Sequence, residues 1–528
     1  MTPFGFDLPY PSQRAPVLAE QAVATSHPLA AQAGLSQLEQ GGNAVDAAIA
    51  AAAALTVVEP TMNGVGGDLF ALVWDGERLH GLNASGAAPR AWTLERFAGR
   101  SAMPAFGWDA VTVPGAVSGW AALAARLGSK PLASLLAPAI RYAAEGFPIT
   151  PLVGAQWKQA AKTYAGFAEF ARVFLPGGHA PAVGSWFRLP ELAETLSSIA
   201  ETDGAALYTG ALAERIAQAA AREGGALSYE DLARHEPSWV EPLSVPYGDA
   251  VLHELPPNGQ GMAALIAVGV LARLPIERHA PDSASAAHFQ IEAMKAAFAV
   301  CRREVAARER MRVAPEELLS PEYLERLARR IQDGRASARA ELPLRDHGTV
   351  YVSAADRQGR MVSLIQSNYL GFGSGVVVPG TGIALHNRGL GFSLDRAHPN
   401  CVDGGARPYH TIMPGFVTRA GKAAMSFGVM GAHMQPQGHV QLFMRIIQHG
   451  QNPQAACDAP RWYIDDDSRV ALEPGYGQAV RDGLQARGHV LHPQPERALF
   501  GGAQAIYKLE RGYCAASDPR KDGQAVGS

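Results

Sequence analysis

The sequence predicts a mixed α/β (α+β) protein with a large core, and two observations carry that expectation. Up to residue 305, apolar patterns of helical period recur at 116–127, 132–145, 189–199, 212–221 and 284–305, with shorter strand-like pieces between them. The C-terminal part then changes character: it carries many glycines and short apolar runs, and residues 440–449 are its clearest helical stretch. Composition agrees, because 528 residues at 47% hydrophobic and 18% charged fit an ordinary globular chain and leave disordered and fibrous classes out.

Taken in order, residues 28–40 fit a helix that Ser26 caps and Gly41-Gly42 ends. Asn43 then caps a second helix with Asp46 in its first turn, and Val58-Glu59-Pro60 stops it. Its face over 47–54 is mostly alanine, which permits close approach to another helix or a sheet. Residues 308–347 turn rich in charge and alanine, and Asp333-Gly334 signals a turn, so 332–348 read as an exposed connector. Directly beyond it, Thr349-Val-Tyr-Val-Ser-Ala-Ala reads as a strand, Asp356-Arg-Gln-Gly359 as a turn and Met361-Val-Ser-Leu-Ile-Gln-Ser367 as the partner strand. Thr349 opens a hairpin.

The formal net charge of -3 comes from mixed acids and bases without long one-sign blocks, so neither nucleic acid nor a membrane is expected as a partner. Residues 1–16 hold Arg14 but no apolar core, unlike a secretory signal, and a cytoplasmic location is expected. The longest apolar stretch, 47–58, is interrupted by Thr56 and falls well short of the roughly 20 residues that span a bilayer. Cys301, Cys401, Cys457 and Cys514 form no CxxC pair and read as reduced, packed thiols. No HExxH, GxSxG, Walker loop or zinc-like Cys/His spacing occurs, so no metal and no cofactor are expected, and His288 reads as a satisfied packing residue.

A threonine at the start of a strand is ordinarily a β-branched residue filling a pleat. Thr349 is singled out by a series of motifs: Gly41-Gly-Asn-Ala-Val-Asp-Ala-Ala48, Val58-Glu-Pro60, Gly64-Val-Gly-Gly67, Val113-Pro-Gly115, then 349–356, Gly373-Ser-Gly375 and Gly380-Thr-Gly382. In that order, from about Val23 to Tyr476, they resemble the γ-glutamyltransferase family. The resemblance implies a four-layer αββα N-terminal-nucleophile hydrolase, made as a precursor that cuts itself between Gly348 and Thr349. Residues 1–348 would be the large subunit and 349–528 the small one, interlaced as one domain, with room for a homo-oligomer of that heterodimer.

The implied chemistry is self-contained. A hydroxyl is a weak nucleophile at neutral pH, and the freed α-amine of Thr349, with a reference pKa of roughly 7.7 to 8, supplies the base on the same residue. By position in the family, Gly431 and Ala432 in Gly428-Val-Met-Gly-Ala-His-Met434 would offer the oxyanion donors, where one well-placed group is worth about 2.7 to 4 kcal/mol. Ala432 stands where the family usually has a second glycine. Ser367 matches the hydroxyl that contacts the nucleophile.

Several positions depart from the γ-glutamyl pattern. Ser85 stands where an arginine would hold the substrate α-carboxylate, Gly391 where an acid would hold its α-ammonium, and Tyr369 where an asparagine is expected. Arg388 replaces an amide residue, and His410-Thr411 replace a serine pair after Arg407-Pro408. Arg388 points to a single carboxylate, which a guanidinium grips with two charge-assisted hydrogen bonds, with Tyr369, His410 and Thr411 lining the pocket. The run from Gln366 to Gly380 and Asn387-Arg-Gly389 resemble the branch containing oxamate amidohydrolase. The leading expectation is thus an amidohydrolase for a small anionic amide, best represented by oxamate. A γ-glutamyl hydrolase or transferase, a cephalosporin or glutaryl acylase, and an uncleaved scaffold are the alternatives.

Overall fold

The computed structural model of the chain describes residues 14–337, 348–493 and 495–528. Two antiparallel seven-stranded sheets face each other, and helices cover the outer side of each, giving four αββα layers. The first sheet runs Gln524–Gly527, Ala22–Thr25, Val350–Ala355, Met361–Ser367, Asp68–Trp74, Leu79–Ala84, Ser238–Val240. The second runs Val17–Ala19, Tyr513–Ser517, Gly502–Lys508, Lys422–Met430, Gly415–Arg419, Ala250–Glu254, Leu243–Tyr247. Strands from before and after residue 348 therefore share both sheets.

The helix Ala44–Val58 carries the expected capping box: Asn43 Oδ1 accepts the Val45 and Asp46 amides, and Asp46 Oδ2 accepts the Asn43 amide. Its alanine face is fully buried and lies on Val350–Ala355 and Met361–Ser367, as well as against the helices Pro28–Glu39 and Leu132–Glu145. The hairpin forms as read. Asp356 closes its turn by accepting the Gln358 and Arg360 amides on Oδ1. Its Oδ2 accepts the Ala44 amide at 3.0 Å, which fastens the turn to a helix N-terminus, where the dipole favours a carboxylate. Between the sheets, Tyr351 lies over Gly428, where a Cβ would collide with the ring. That glycine lets the layers meet.

Two expectations are corrected. The cap of Pro28–Glu39 is His27, whose Nδ1 accepts the Leu29 amide, whereas Ser26 donates to Glu59 Oε2 at 2.5 Å. A buried carboxyl outcompetes the helix turn for that hydroxyl. The helix expected at 440–449 begins earlier, at Met434–Phe443, and continues as the π-turn Met444–Gln448. Its first turns hold Gln435, Pro436, Gln437 and Gly438, which show no apolar period, yet Gln437 and Gln441 bury their amides on the Ile464 and Trp462 carbonyls. Of the connector, 332–337 are mostly exposed and are tied down by Ala336 N–H on Arg487 O and Ser337 N–H on Glu292 Oε2, 338–347 lie outside the described residues, and Gly348, expected to be exposed, is buried against Met62. All four cysteines are buried and free of disulfides. Among the described residues, no helix is long and apolar enough to cross a membrane.

Candidate active site

Thr349 is buried one residue ahead of Val350–Ala355. Its Oγ1 lies 3.4 Å from Ser367 Oγ and accepts from Gln435 Nε2 at 3.2 Å. Gln435 cannot be flipped without loss, because its Oε1 accepts the Met413 amide at 3.1 Å. Ser367, ending the partner strand, donates to the Gly348 carbonyl at 3.0 Å and accepts the Tyr369 amide at 2.8 Å. One hydroxyl thus touches both sides of the Gly348–Thr349 peptide. At Gly348, a Cβ would fall inside the van der Waals shell of Met62 Sδ and 3.2 Å from Met62 Cα, so any side chain there displaces Met62.

The strand Lys422–Met430 leads into a turn in which Gly431 and Ala432 hold φ of 118° and 43° before the helix begins at Met434. The left-handed backbone of Ala432 costs roughly 1–2 kcal/mol, and its carbonyl is held by Gln260 Nε2 at 2.9 Å. Among the described residues neither the Gly431 nor the Ala432 amide donates to another protein group. Two free amides ahead of a helix form an arrangement that favours negative charge.

Arg388 is fully buried. Its Nη1 donates to Thr411 Oγ1 at 2.7 Å, Nη2 lies 3.5 Å from Ser367 Oγ, and its plane covers the Tyr369 ring at 4.3 Å from the centroid. Nε has no hydrogen-bond acceptor among the described residues and lies 3.9 Å from Asp68 Oδ2. Burial draws the guanidinium down to about 10, with Asp68 opposing the shift. Tyr369, Arg388 and Thr411 thus gather around Ser367 beside Thr349. His410 is placed differently: Nε2 donates to Asp68 Oδ2 at 2.9 Å, Nδ1 accepts the Ile412 amide, and the ring packs on Phe70. Both ring nitrogens are used on the protein. Burial, then Arg388, holds this imidazole well below its ordinary value, so it is neutral.

Asp68 escaped the sequence reading. It opens the buried strand Asp68–Trp74, accepts the Gly115 amide at 3.1 Å and the Gly86 amide at 3.4 Å, and is pushed up to about 7 by burial, against the pull of Arg388. The signal was present: an aspartate ahead of the apolar run 69–74 is a charge at a core position, which needs partners. Gln435 was also missed, one residue beyond the segment read as the oxyanion turn. Ser85 donates to Asn83 Oδ1 at 2.7 Å and accepts from Asn258 Nδ2 at 3.2 Å, offering no charge. At Gly391 a Cβ would strike the Tyr409 carbonyl, so no acid fits without a backbone shift.

A cleft of about 780 Å³ opens between Asn83, His235, Asn258 and Arg407, and Thr349 is not among its lining residues. A separate group, His288, Glu292 and His489, brings three ligand-type atoms within 4.8 Å of one another. Its needs are met by the protein: Lys295 donates to Glu292 at 2.9 Å, His288 Nδ1 meets His489 Nε2 at 2.8 Å, and His288 Nε2 meets the Gln332 carbonyl. His288 is satisfied, as expected of a packing residue.

Facing sheets between helix layers define a four-layer N-terminal-nucleophile fold, and the chain is a hydrolase acting on amides. The crystal structure of cephalosporin acylase from Bacillus halodurans superposes with a TM-score of 0.94 at 45% identity, covering 100% of this chain and 99% of that one. The chain is 37% identical to the oxamate amidohydrolase proenzyme of Klebsiella pneumoniae and 35% identical to the glutathione hydrolase-like YwrD proenzyme of Bacillus subtilis, in each case over 96% of this chain and 98% of the relative. It belongs to the γ-glutamyltranspeptidase family, which matches over residues 30–528.

Proposed function

We propose that this chain is a self-processing threonine amidohydrolase for small amides that bear one carboxylate close to the scissile carbonyl, with oxamate as the first substrate to test. The observation that carries the reading is that Ser367 Oγ lies within 3.4 Å of the Thr349 hydroxyl and 3.5 Å of the Arg388 guanidinium. An anion held by Arg388 brings its amide to Thr349 most directly when carboxylate and carbonyl are neighbours, and in oxamate they share a bond. The 37% identical oxamate amidohydrolase proenzyme supports the same choice.

In maturation, Thr349 Oγ adds to the Gly348 carbonyl and its proton passes to the peptide nitrogen, the C–N bond breaks to leave an ester and a free Thr349 amine, and water hydrolyses the ester to a Gly348 carboxylate and the Thr349 hydroxyl. Ser367 polarises that carbonyl, and Gln435 holds the attacking oxygen. The products are a large subunit, 1–348, and a small subunit, 349–528, held together by shared sheets. In turnover, the new amine takes the Oγ proton as Oγ adds to the substrate amide. The oxyanion rests on the Gly431 and Ala432 amides. The proton passes to the leaving nitrogen, the C–N bond breaks, and water hydrolyses the acyl-threonine ester. The Nε and Nη2 edge of Arg388 forks onto the substrate carboxylate.

A second reading has its own support: 45% identity to the cephalosporin acylase favours a longer acyl chain whose terminal carboxylate reaches Arg388. A γ-glutamyl head group is disfavoured by neutral Ser85 and by Gly391. The test compares ammonia release from oxamate, release from a glutaryl amide and p-nitroaniline release from its γ-glutamyl derivative. Turnover of oxamate by cleaved protein, with Thr349→Ala remaining one band on a gel, is expected. Turnover of the γ-glutamyl compound alone would sink the proposal, and a wild-type chain that stays uncut would favour a scaffold.

A further inference from the structure

We propose that Asp68 sets which anions this site accepts: it balances Arg388 with one internal negative charge, and that charge is cancelled by a proton when a substrate carboxylate docks on the guanidinium. The inference rests on the single-carboxylate reading of Arg388 and extends it to a residue with no role in that reading.

The geometry places Asp68 beside Nε of Arg388. Nε has no acceptor among the described residues, and the nearest carboxylate oxygen is Asp68 Oδ2 at 3.9 Å. That distance is too long for a hydrogen bond and short enough for strong Coulomb attraction between two fully buried groups. Asp68 is fixed there from several directions. The Gly86 and Gly115 amides donate to Oδ1, and Gly115 stands at the N-terminus of the helix Ala116–Leu127, whose dipole favours a negative charge. His410 Nε2 donates to Oδ2, and its tautomer is set by the Ile412 amide on Nδ1.

The charged and titratable neighbours can be counted. Arg388 and, further off, Arg407 face Asp68 with positive charge. His386 Nδ1 lies 3.7 Å away, and burial holds that ring down to about 3, so it is neutral, as is His410. Tyr208 feels the same carboxylate and stays a neutral phenol. Because Arg407 is only partly buried, the fully buried part of the centre pairs one anion, Asp68, with one cation, Arg388. Adding a substrate carboxylate leaves a net buried negative charge unless Asp68 takes up a proton from solvent. Burial already brings Asp68 to about 7, where one added anion is enough to protonate it at neutral pH. A zwitterionic head group gains nothing from this, because its ammonium finds no acid at Gly391.

The consequence separates anionic from neutral substrates. Deprotonation of the Thr349 amine affects both equally, so the ratio of kcat/KM for oxamate to kcat/KM for a neutral amide such as acetamide isolates Asp68. In the wild type that ratio is expected to fall about tenfold per pH unit above roughly 7, since one proton is taken up per anion bound. In Asp68→Asn, checked for normal cleavage on a gel, the ratio is expected to be flat with pH. Should Asp68→Asn fail to mature, the wild-type profile alone still decides. A large ratio that Arg388→Lys abolishes but that does not vary with pH in the wild type overturns the role of Asp68 while leaving Arg388 in place. A ratio near one at every pH, unchanged by Arg388→Lys, removes the single-carboxylate reading and this inference with it.

Discussion

Replacing Gly348 by alanine tests the cleavage site where its geometry is tightest. The added Cβ runs into Met62 Sδ and stands 3.2 Å from Met62 Cα, so the thioether must leave and the backbone has little room to follow. Overpacking of this kind typically costs about 1–3 kcal/mol. Carried into the self-cleavage step, that is a slowing of roughly five- to 150-fold, because each 1.36 kcal/mol is tenfold in rate. Strain at Gly348 is also expected to disturb the hydrogen bond that Ser367 Oγ donates to its carbonyl at 3.0 Å. The assay is a time course, after rapid purification, of the precursor band giving way to fragments of 1–348 and 349–528, with the new N-terminus confirmed as Thr349 by mass spectrometry. Met62→Ala in the same chain removes the obstructing side chain and is expected to restore most of the lost rate. The reasoning is refuted if Gly348→Ala matures at the wild-type rate, or if it is slow and Met62→Ala recovers nothing.

Three further outcomes follow from the same geometry. Arg388→Lys keeps the charge but loses the planar fork, and KM for oxamate is expected to rise about ten- to a hundredfold with maturation intact, as charged hydrogen bonds are worth about 1.5–3 kcal/mol; an unchanged KM would remove Arg388 from the substrate site. Gln435→Met leaves the Met413 amide buried without its acceptor and frees Thr349 Oγ1, so urea denaturation should show a loss of about 1–3 kcal/mol together with slower self-cleavage, and full retention of both would contradict the role given to Gln435. Ala432→Gly relieves the left-handed strain while loosening the unfolded chain, so stability should stay within about 1 kcal/mol of the wild type and kcat should persist; a collapse in kcat would mean that the methyl group itself shapes the oxyanion turn.

How much of this was legible before the structure depends on the kind of signal each part leaves. The alanine helix and the Thr349 hairpin were readable because caps, turns and period lie within a few residues of one another, as with Asn43 and Asp46 or Asp356 and Gly359. The helix from Met434 was not, because its buried face is built from glutamines that are satisfied by carbonyls far along the chain. The same holds at the site. Ser367 and Arg388 could be placed by motif, but the pairing of His410 with Asp68 joins positions 342 residues apart, and no local pattern announces it.

That long-range pairing also explains why the departures at Ser85 and Gly391 occur together with a buried arginine. A site for an amino-acid head group carries its own cation and acid and is balanced whether full or empty. On the proposed reading the cation stands at Arg388 and the acid position is a glycine whose Cβ would meet the Tyr409 carbonyl, so without a counter-charge the buried guanidinium would be uncompensated, a cost of several kcal/mol. Asp68 removes that cost from inside the fold, on the side of Arg388 that leaves Nη2 directed at Ser367. On the proposed reading a ligand with a single negative charge would replace the internal carboxylate as the partner of Arg388 at the expense of one proton. A ligand with both charges would not, because its ammonium would enter a buried space where Asp68 is already engaged by His410 and two backbone amides.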